Sequence, residues 1–282
     1  MAFPARRLTL LAALVLATVL LVAACGGDGG GGEDVTADLA PAEILTQSVD
    51  KAAALESFRI AFEAKGRVDI SDASALPGGN LLSGPLDVSG EGPVQPPDRA
   101  SIDARVGLSG PTLQGNLTRV GGEVFVGILG QDFRVELPAE QVALLDFGAL
   151  YPTLVRWTIN PAEAARETID GTDTVKITGA IDPAIALSDL APLLQTENVT
   201  PAQARAAFEQ GTLEAWIGTA DLLPRRLHLV LKADGARLDA GVGAVDIDLT
   251  ADLSAFDEPV DIQAPRDARP LDLDQLGSLT GG

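Results

Sequence analysis

Cysteine, histidine and aromatic residues are scarce in this chain. It has one cysteine and one histidine, and only 4% of its residues are Phe, Trp or Tyr. A single cysteine excludes an internal disulfide, and a single histidine excludes a metal site built on two imidazole rings. Hydrophobic residues still make up 46% of the sequence, so the core must be built from Val, Leu, Ile and Ala.

Basic residues are also few. The 20 Lys and Arg residues stand against 40 Asp and Glu residues, which gives a formal net charge of -20. Such a surface repels nucleic acid and anionic lipid headgroups, so we expect no nucleic-acid partner. The abundance of Asp, Glu, Ala and Gly is typical of a high-GC or salt-tolerant actinobacterium.

The one cysteine, Cys25, follows a segment with the features of a secretion signal. Two arginines precede an apolar run over residues 8–22, and two alanines stand directly before Cys25. This order predicts a signal peptide over residues 1–24. The LVAAC pattern is a lipobox, in which the cysteine thiol receives a diacylglyceryl group. We therefore expect Cys25 to be the lipid attachment residue, with palmitate as an acyl chain, on the extracytoplasmic face of the cell membrane.

The alternative for this segment is an uncleaved transmembrane anchor. A membrane-spanning helix needs about 20 apolar residues, and the run before Cys25 is shorter than that. The cysteine also falls where the cleavage rule for lipoproteins places it. The lipoprotein signal is therefore the favoured interpretation.

Composition divides the mature chain into three parts. Residues 25–40 are rich in Gly and acidic residues and predict a flexible tether. Residues 41–266 predict one domain, since no linker interrupts them. Residues 267–282 predict a flexible acidic tail.

In most of the domain, apolar and polar residues alternate with a period of two, which is typical of strands with one face exposed to solvent. In the clearest example, from Phe58 to Ile70, apolar residues hold the even positions. About ten such strands are predicted, ending in a short one at residues 260–262. Helices are predicted over residues 41–55 and within residues 138–168 and 183–210. The fold class is therefore α+β, a curled antiparallel half-barrel with helices lidding its concave apolar face.

The apolar face of this sheet leaves two arrangements open. Helices and sheet can pack to normal density and leave no cavity. Alternatively, the sheet can curl around an aliphatic hollow that binds acyl chains. In that case the candidate cavity-lining residues are apolar strand positions, namely Phe58, Ile60, Phe62, Val68, Ile102, Val106, Leu117, Val126, Leu213, Ile217, Leu229 and Ile247.

Several segments resemble the LppX/LprG-type (LppX_LprAFG) lipoproteins of mycobacteria and other actinobacteria. The most specific is the W-I and L-P-R-R hairpin within residues 215–227. The others are the lipobox, the opening helix and strand at residues 44–60, the segment Ile169 to Gly179 and the closing segment Phe256 to Pro265. The resemblance implies a LolA/LolB-like half-barrel whose hydrophobic cavity binds lipid or acylated glycolipid and carries it across the cell envelope.

From these features we expect a monomer without a cofactor. Its partners are a lipid or glycolipid ligand, the membrane and a transporter of the cell envelope. The alternative function is a non-enzymatic sensing or scaffold lipoprotein of the same fold that binds an envelope protein.

Catalytic and metal-binding signatures are incomplete, so we expect no enzyme activity. Ser48 begins an S-x-x-K match, but the S-D-N and K-T-G motifs of penicillin-recognising enzymes are missing. His228 is out of phase with the leucines around it and is expected on the solvent face. Asp246, Asp248 and Asp252 share a strand face, for which a solvated acidic surface is favoured over a calcium site. No metal is expected.

Overall fold

The protein is described from a computed structural model. The described residues are 33–70, 84–107, 112–137, 139–143, 145–194, 200–234 and 242–271. Cys25, the predicted signal peptide and residues 272–282 of the predicted tail lie outside these ranges.

The described elements are short helices inserted in a long series of strands. The helices are α1 (Pro41–Ala53), α2 (Ala139–Ala143), α3 (Phe147–Trp157), α4 (Pro183–Leu194) and α5 (Pro201–Ala207). The strands are β1 (Phe58–Ile70), β2 (Gly84–Gln95), β3 (Arg99–Gly107), β4 (Leu113–Val120), β5 (Glu123–Ile128), β6 (Gln131–Val135), β7 (Thr158–Ile169), β8 (Thr172–Ile181), β9 (Phe208–Gly218), β10 (Pro224–Asp234), β11 (Val242–Ser254) and β12 (Arg269–Leu271).

The strands of the described residues form one twelve-stranded sheet in the order β12-β6-β5-β4-β3-β2-β1-β11-β10-β9-β8-β7. Each neighbouring pair is antiparallel except β12 with β6. The edge strands β12 and β7 do not pair with each other, so the sheet curls without closing. The predicted α+β class and the curled half-barrel are therefore confirmed.

Local sequence signals explain where the first helix begins. Pro41 occupies its first turn, where a missing N–H costs nothing. The Glu43 carboxylate accepts a hydrogen bond from the backbone N–H of Ala40 at 2.9 Å, which satisfies one donor at the helix start. Thr200 and Gln203 form the capping box that begins α5.

Two predicted helical regions continue into strands. Residues 158–168 belong to β7 and residues 208–210 to β9, so their assignment to helices is wrong. Strand β7 lies at the edge of the sheet, and most of its side chains are exposed on both faces. Because it buries neither face, it lacks the alternation that reveals a half-buried strand.

The end of the chain also differs from the expectation. The predicted strand at residues 260–262 is absent, and the carbonyl of Ile262 instead accepts a hydrogen bond from Arg99 Nη1 at 2.8 Å. Strand β12 falls inside the segment predicted as a tail and pairs with β6 over three residues. Three residues are too few for a periodic signal, so only the pairing reveals this strand.

Helices α1, α3 and α4 pack side by side on one face of the sheet, called here the apolar face. A buried hydrogen bond joins the first two, since the Tyr151 hydroxyl donates to Ser48 Oγ at 2.8 Å. Burial raises the pKa of Tyr151, so this hydroxyl keeps its proton. The ring N–H of Trp157 donates to Asp189 at 2.5 Å and ties α3 to α4.

Residues of the predicted tether from Asp34 onward are held against the domain. The backbone N–H of Val35 donates to the carbonyl of Thr219 at 2.9 Å, and Asp34 forms an ion pair with Arg166 at 2.5 Å. Thr36 is buried. These contacts place the start of the described chain beside the ends of β7, β8 and β9. Among the described helices, none is long and apolar enough to cross a membrane.

Candidate functional site

The apolar face of the sheet has a covered part and an open part. Along β1, Ile60 is 2% exposed beneath the helices, whereas Phe62 and Ala64 are half-buried. The same change occurs on the strands on either side of β1. We call the half-buried residues beyond the helices the open strip: Phe62, Ala64, Leu86, Val88, Ala104, Val106, Leu117, Val126, Ile247 and Leu249.

Cross-strand pairing brings these residues together on one face. Ala64 lies between Val88 on β2 and Leu249 on β11. Val88 in turn lies opposite Val106 on β3. Directly opposite residues of antiparallel strands point to the same side of the sheet. The open strip is therefore a continuous aliphatic surface across six strands, from β11 to β5.

An aromatic pair marks the border between the two parts. The rings of Phe62 and Phe147 on α3 stack with their centroids 6.4 Å apart. Gly90 on β2 leaves room for this arrangement, because a Cβ atom there would lie 2.8 Å from the Phe62 ring and 2.9 Å from Ile102. The Phe62 ring can therefore lie close to the sheet beside Phe147, the first residue of α3.

The predicted cavity-lining residues fall into two groups. Six belong to the packed core and are at most 8% exposed: Phe58, Ile60, Ile102, Leu213, Ile217 and Leu229. Five belong to the open strip: Phe62, Val106, Leu117, Val126 and Ile247. The side chain of Val68 lies outside the described set. Contact of any of them with a ligand stays a prediction.

Sequence analysis missed half of the open strip. Ala64, Leu86, Val88, Ala104 and Leu249 were not among the predicted lining residues, although each lies in an alternating segment. Alternation shows which residues share a face within one strand. It does not show which strands are neighbours or how far the helices reach. Those two facts select the residues that remain open.

The opposite face of the sheet is polar and carries a groove of about 520 Å³. Its outward side chains come from one set of cross-strand neighbours: Ala61, Glu63, Ser89, Glu91, Asp103, Arg105, Gln114, Thr250 and Asp252. The sheet backbone separates this groove from the open strip. The charged and polar side chains of this lining suit water and polar groups.

The three aspartates of β11 are paired with side chains of β10. Asp246 lies 3.1 Å from Lys232 Nζ, and Asp252 lies 2.5 Å from Arg226 Nε. Asp248 lies 2.9 Å from His228 Nε2. Two ion pairs and one hydrogen bond across the strands hold these carboxylates, which remain 40–61% exposed to solvent. Within the described ranges, no group of three or more His, Cys, Asp or Glu residues is placed to hold a metal ion.

His228 lies on the polar face, as the sequence predicts, and is half-buried between two carboxylates. Its Nδ1 atom is 3.1 Å from Glu214 Oε2, so the ring has a carboxylate partner at each nitrogen. Glu214 also forms an ion pair with Lys176 at 2.7 Å. Partial burial raises the pKa of Glu214, but the hydrogen bonds and charges of Lys176 and His228 outweigh it, so the pKa is lowered overall.

This lowered pKa predicts an acid-sensitive contribution to stability. A carboxylate whose pKa is lower in the folded state stabilises the fold above its ordinary pKa of 4.5, and this effect disappears as the pH falls through the folded-state pKa. Replacing Glu214 with Gln should cost about 1 kcal/mol at pH 7 and almost nothing at acidic pH. Urea unfolding at both pH values measures this, with the exposed Glu209→Gln on the same strand as control. An equal loss at both pH values would contradict the assignment.

Ser48 has a structural partner. Its side chain is buried and accepts the hydrogen bond of Tyr151, whereas Lys51 is exposed on another side of α1. A nucleophilic serine needs an adjacent base and access to substrate. The S-x-x-K match is therefore explained by a helix that buries one face.

Comparisons with known proteins give structural likeness only. No protein-family model matches the sequence, and no curated protein matches it. Lipoprotein LppX of Mycobacterium tuberculosis is similar over 79% of this chain and 97% of its own, with 19% identity and a TM-score of 0.48. LprF from Mycobacterium bovis is similar over 80% and 99%, with 17% identity and a TM-score of 0.48.

A LolA superfamily protein of Nitrosomonas europaea is more distant, with 9% identity and a TM-score of 0.27 over 80% of this chain and 96% of its own. LppX and LprF, lipoproteins of the type that the motifs resemble, are among the similar structures. At these scores the likeness assigns neither a ligand nor an activity.

Proposed function

We propose that this protein is a membrane-anchored lipoprotein that binds the acyl chains of a lipid or acylated glycolipid on the open strip and carries them through the cell envelope. One observation supports this most directly. Aliphatic side chains from six neighbouring strands remain half-exposed beyond the helices, where a soluble domain would bury them.

The open strip can exchange a lipid with a membrane at little net cost. Each methylene of an acyl chain that leaves water contributes about 0.8 kcal/mol, whether it enters a bilayer or an apolar protein surface. A chain transferred from one to the other therefore keeps most of this stabilisation. Such balance suits reversible carriage, because tight binding on either side would stop release.

The anchor and the tether complete the proposal. Two acyl chains on Cys25 would hold the protein at the membrane stably, whereas a single chain binds only marginally. The contacts of Asp34 and Val35 with Arg166 and Thr219 shorten the free tether, because the chain joins the domain before residue 40. On this basis we propose that residues 1–24 are a signal peptide and that the anchored domain follows them.

Native mass spectrometry of the full chain tests lipid binding. The protein is extracted gently from cell membranes, and a second sample is delipidated and then mixed with vesicles of cell lipids. We expect the first sample to carry one or more bound lipids beyond the covalent anchor, and the second to regain them. Recovery of a lipid-free chain that takes up nothing from the vesicles would overturn the proposed function.

A further inference from the structure

Leu129 and Leu113, the two most exposed large apolar side chains of the described residues, lie at one end of the sheet. We call it the distal end: β1, β3 and β5 end there, and β2, β4 and β6 begin there. Leu129 is 96% exposed and Leu113 is 56% exposed. Leu113 is directly opposite Val106 of the open strip, and Leu129 follows Ile128 in the turn that leads to Gln131. The apolar surface of the strip thus continues to this end.

Folding alone does not explain the leucine in this turn. Leu129 and Gly130 join β5 to β6 with φ angles of 51° and 77°, both in the left-handed region. Two-residue hairpin turns of this kind favour Asn-Gly or Asp-Gly, because a branched apolar side chain is strained at the first position. Nearly all of the Leu129 side chain is also exposed, so it contributes little to the core.

Charge is absent from the two segments that meet at these leucines. Residues 112–118 and 124–131 contain no Asp, Glu, Lys or Arg, although charged residues make up 21% of the chain. The whole protein has a net charge of -20, which opposes contact with anionic headgroups. These two segments add no charge at this corner of the sheet, where Leu113 and Leu129 are exposed.

We propose that Leu113 and Leu129 form a docking surface that enters the headgroup region of a lipid bilayer. Exposed aliphatic side chains on an uncharged hairpin tip suit that environment, since their burial among lipids removes them from water. The surface adjoins the open strip, so a docked protein would present the strip to the membrane. That use in loading or release rests on the proposed function, whereas the docking itself does not.

The docking surface lies at the opposite end of the sheet from the start of the described chain. Val35 is bound to Thr219, directly after the last residue of β9, beside the beginning of β10. Strands of thirteen residues, such as β1, span about 43 Å between the two ends. An anchored molecule would therefore dock through the end that is far from its tether.

Tryptophan fluorescence in vesicles with brominated lipids tests the docking. The full chain is reconstituted in phosphatidylcholine vesicles, and the variant Gln131→Trp places an indole beside Leu129. The matched control is Gly122→Trp, in the turn at the other end of β5, where nothing lies within 4 Å of a Cβ atom added at this position. Trp157 and Trp216 are buried and give the same background in both variants.

We expect bromine to quench the added fluorescence of Gln131→Trp several-fold more than that of Gly122→Trp. Adding Leu129→Asn to Gln131→Trp should abolish this difference, and asparagine suits the left-handed turn, so the hairpin should still fold. Equal quenching of the two single variants would overturn the proposal. The proposal would also be overturned if the emission of Gln131→Trp changed with the amount of protein per vesicle and not with the brominated lipid. In that case a second copy of the chain would cover the surface.

The same samples separate this inference from the proposed function. Native mass spectrometry of Leu129→Asn should show bound lipid in the amount found for the unchanged chain, with slower exchange into added vesicles. If the chain carries no lipid but its Gln131→Trp variant is still quenched, the docking surface is supported and lipid carriage is overturned. If the chain carries lipid but its Gln131→Trp variant is not quenched, lipid carriage is supported and the docking surface is overturned.

Discussion

Replacement of Val106 with tryptophan is expected to reduce lipid binding by about tenfold or more while the domain stays folded. Val106 is a half-buried residue of the open strip, between Val88 on β2 and Leu113 on β4. An indole at this position would cover neighbouring aliphatic side chains and occupy the surface that an acyl chain needs. The side chain is not enclosed by helices, so the larger ring has room to turn outward.

The matched control for this prediction is Arg105→Trp. Arg105 precedes Val106 on the same strand, but it is exposed and lies on the polar face. The control adds the same ring to the same strand without touching the open strip. Lipid occupancy of both variants is measured by native mass spectrometry, with circular dichroism to show that both are folded. If both variants bind lipid as the unchanged chain does, the open strip is not the binding surface.

Replacement of Leu154 with alanine is expected to reduce the free energy of unfolding by about 2–5 kcal/mol. Leu154 lies on α3 and is fully buried in the core cluster with Ile177 and Leu213. Removing its branched end would leave a cavity between the helix and the sheet. The size of the loss shows whether α3 is part of a packed core or a lid over a hollow.

The control for the helix is Val155→Ala, the next residue, which is half-buried. Its loss should be about 1 kcal/mol, because part of its surface already contacts water. Urea unfolding of both variants gives the two values. A cost below about 1 kcal/mol for Leu154→Ala would mean that α3 packs loosely, and the cavity would then extend beneath the helices.

The long half-buried strands could be predicted from the sequence, whereas the strands at the edges of the sheet could not. Strand β1 was identified because Phe58, Ile60 and Phe62 alternate with exposed residues on a sheet with one buried face. Strand β7 was mistaken for helix because its side chains are exposed on both faces. The period of a strand is visible in a sequence only where burial of one face selects apolar residues.

The predicted lining residues of the candidate site also fall into two groups that the sequence alone could not separate. Phe62 and Val106 are predicted lining residues because they are apolar positions in alternating segments, and both lie in the open strip. Ile60 and Ile102 satisfy the same rule, yet they lie beneath helices in the packed core. No local pattern separates the two pairs, because the difference arises from helices that are distant along the chain.

The sequence by itself predicts a lipobox at Cys25, and it determined the aliphatic composition of the core and the strand faces that carry it. These properties follow from residue type and spacing, which need no knowledge of neighbours. The tertiary structure decided where the covered part of the apolar face ends, and it placed Leu113 and Leu129 at the same end of the sheet. Such positions depend on strand register and helix placement, which are set by contacts between residues far apart in sequence.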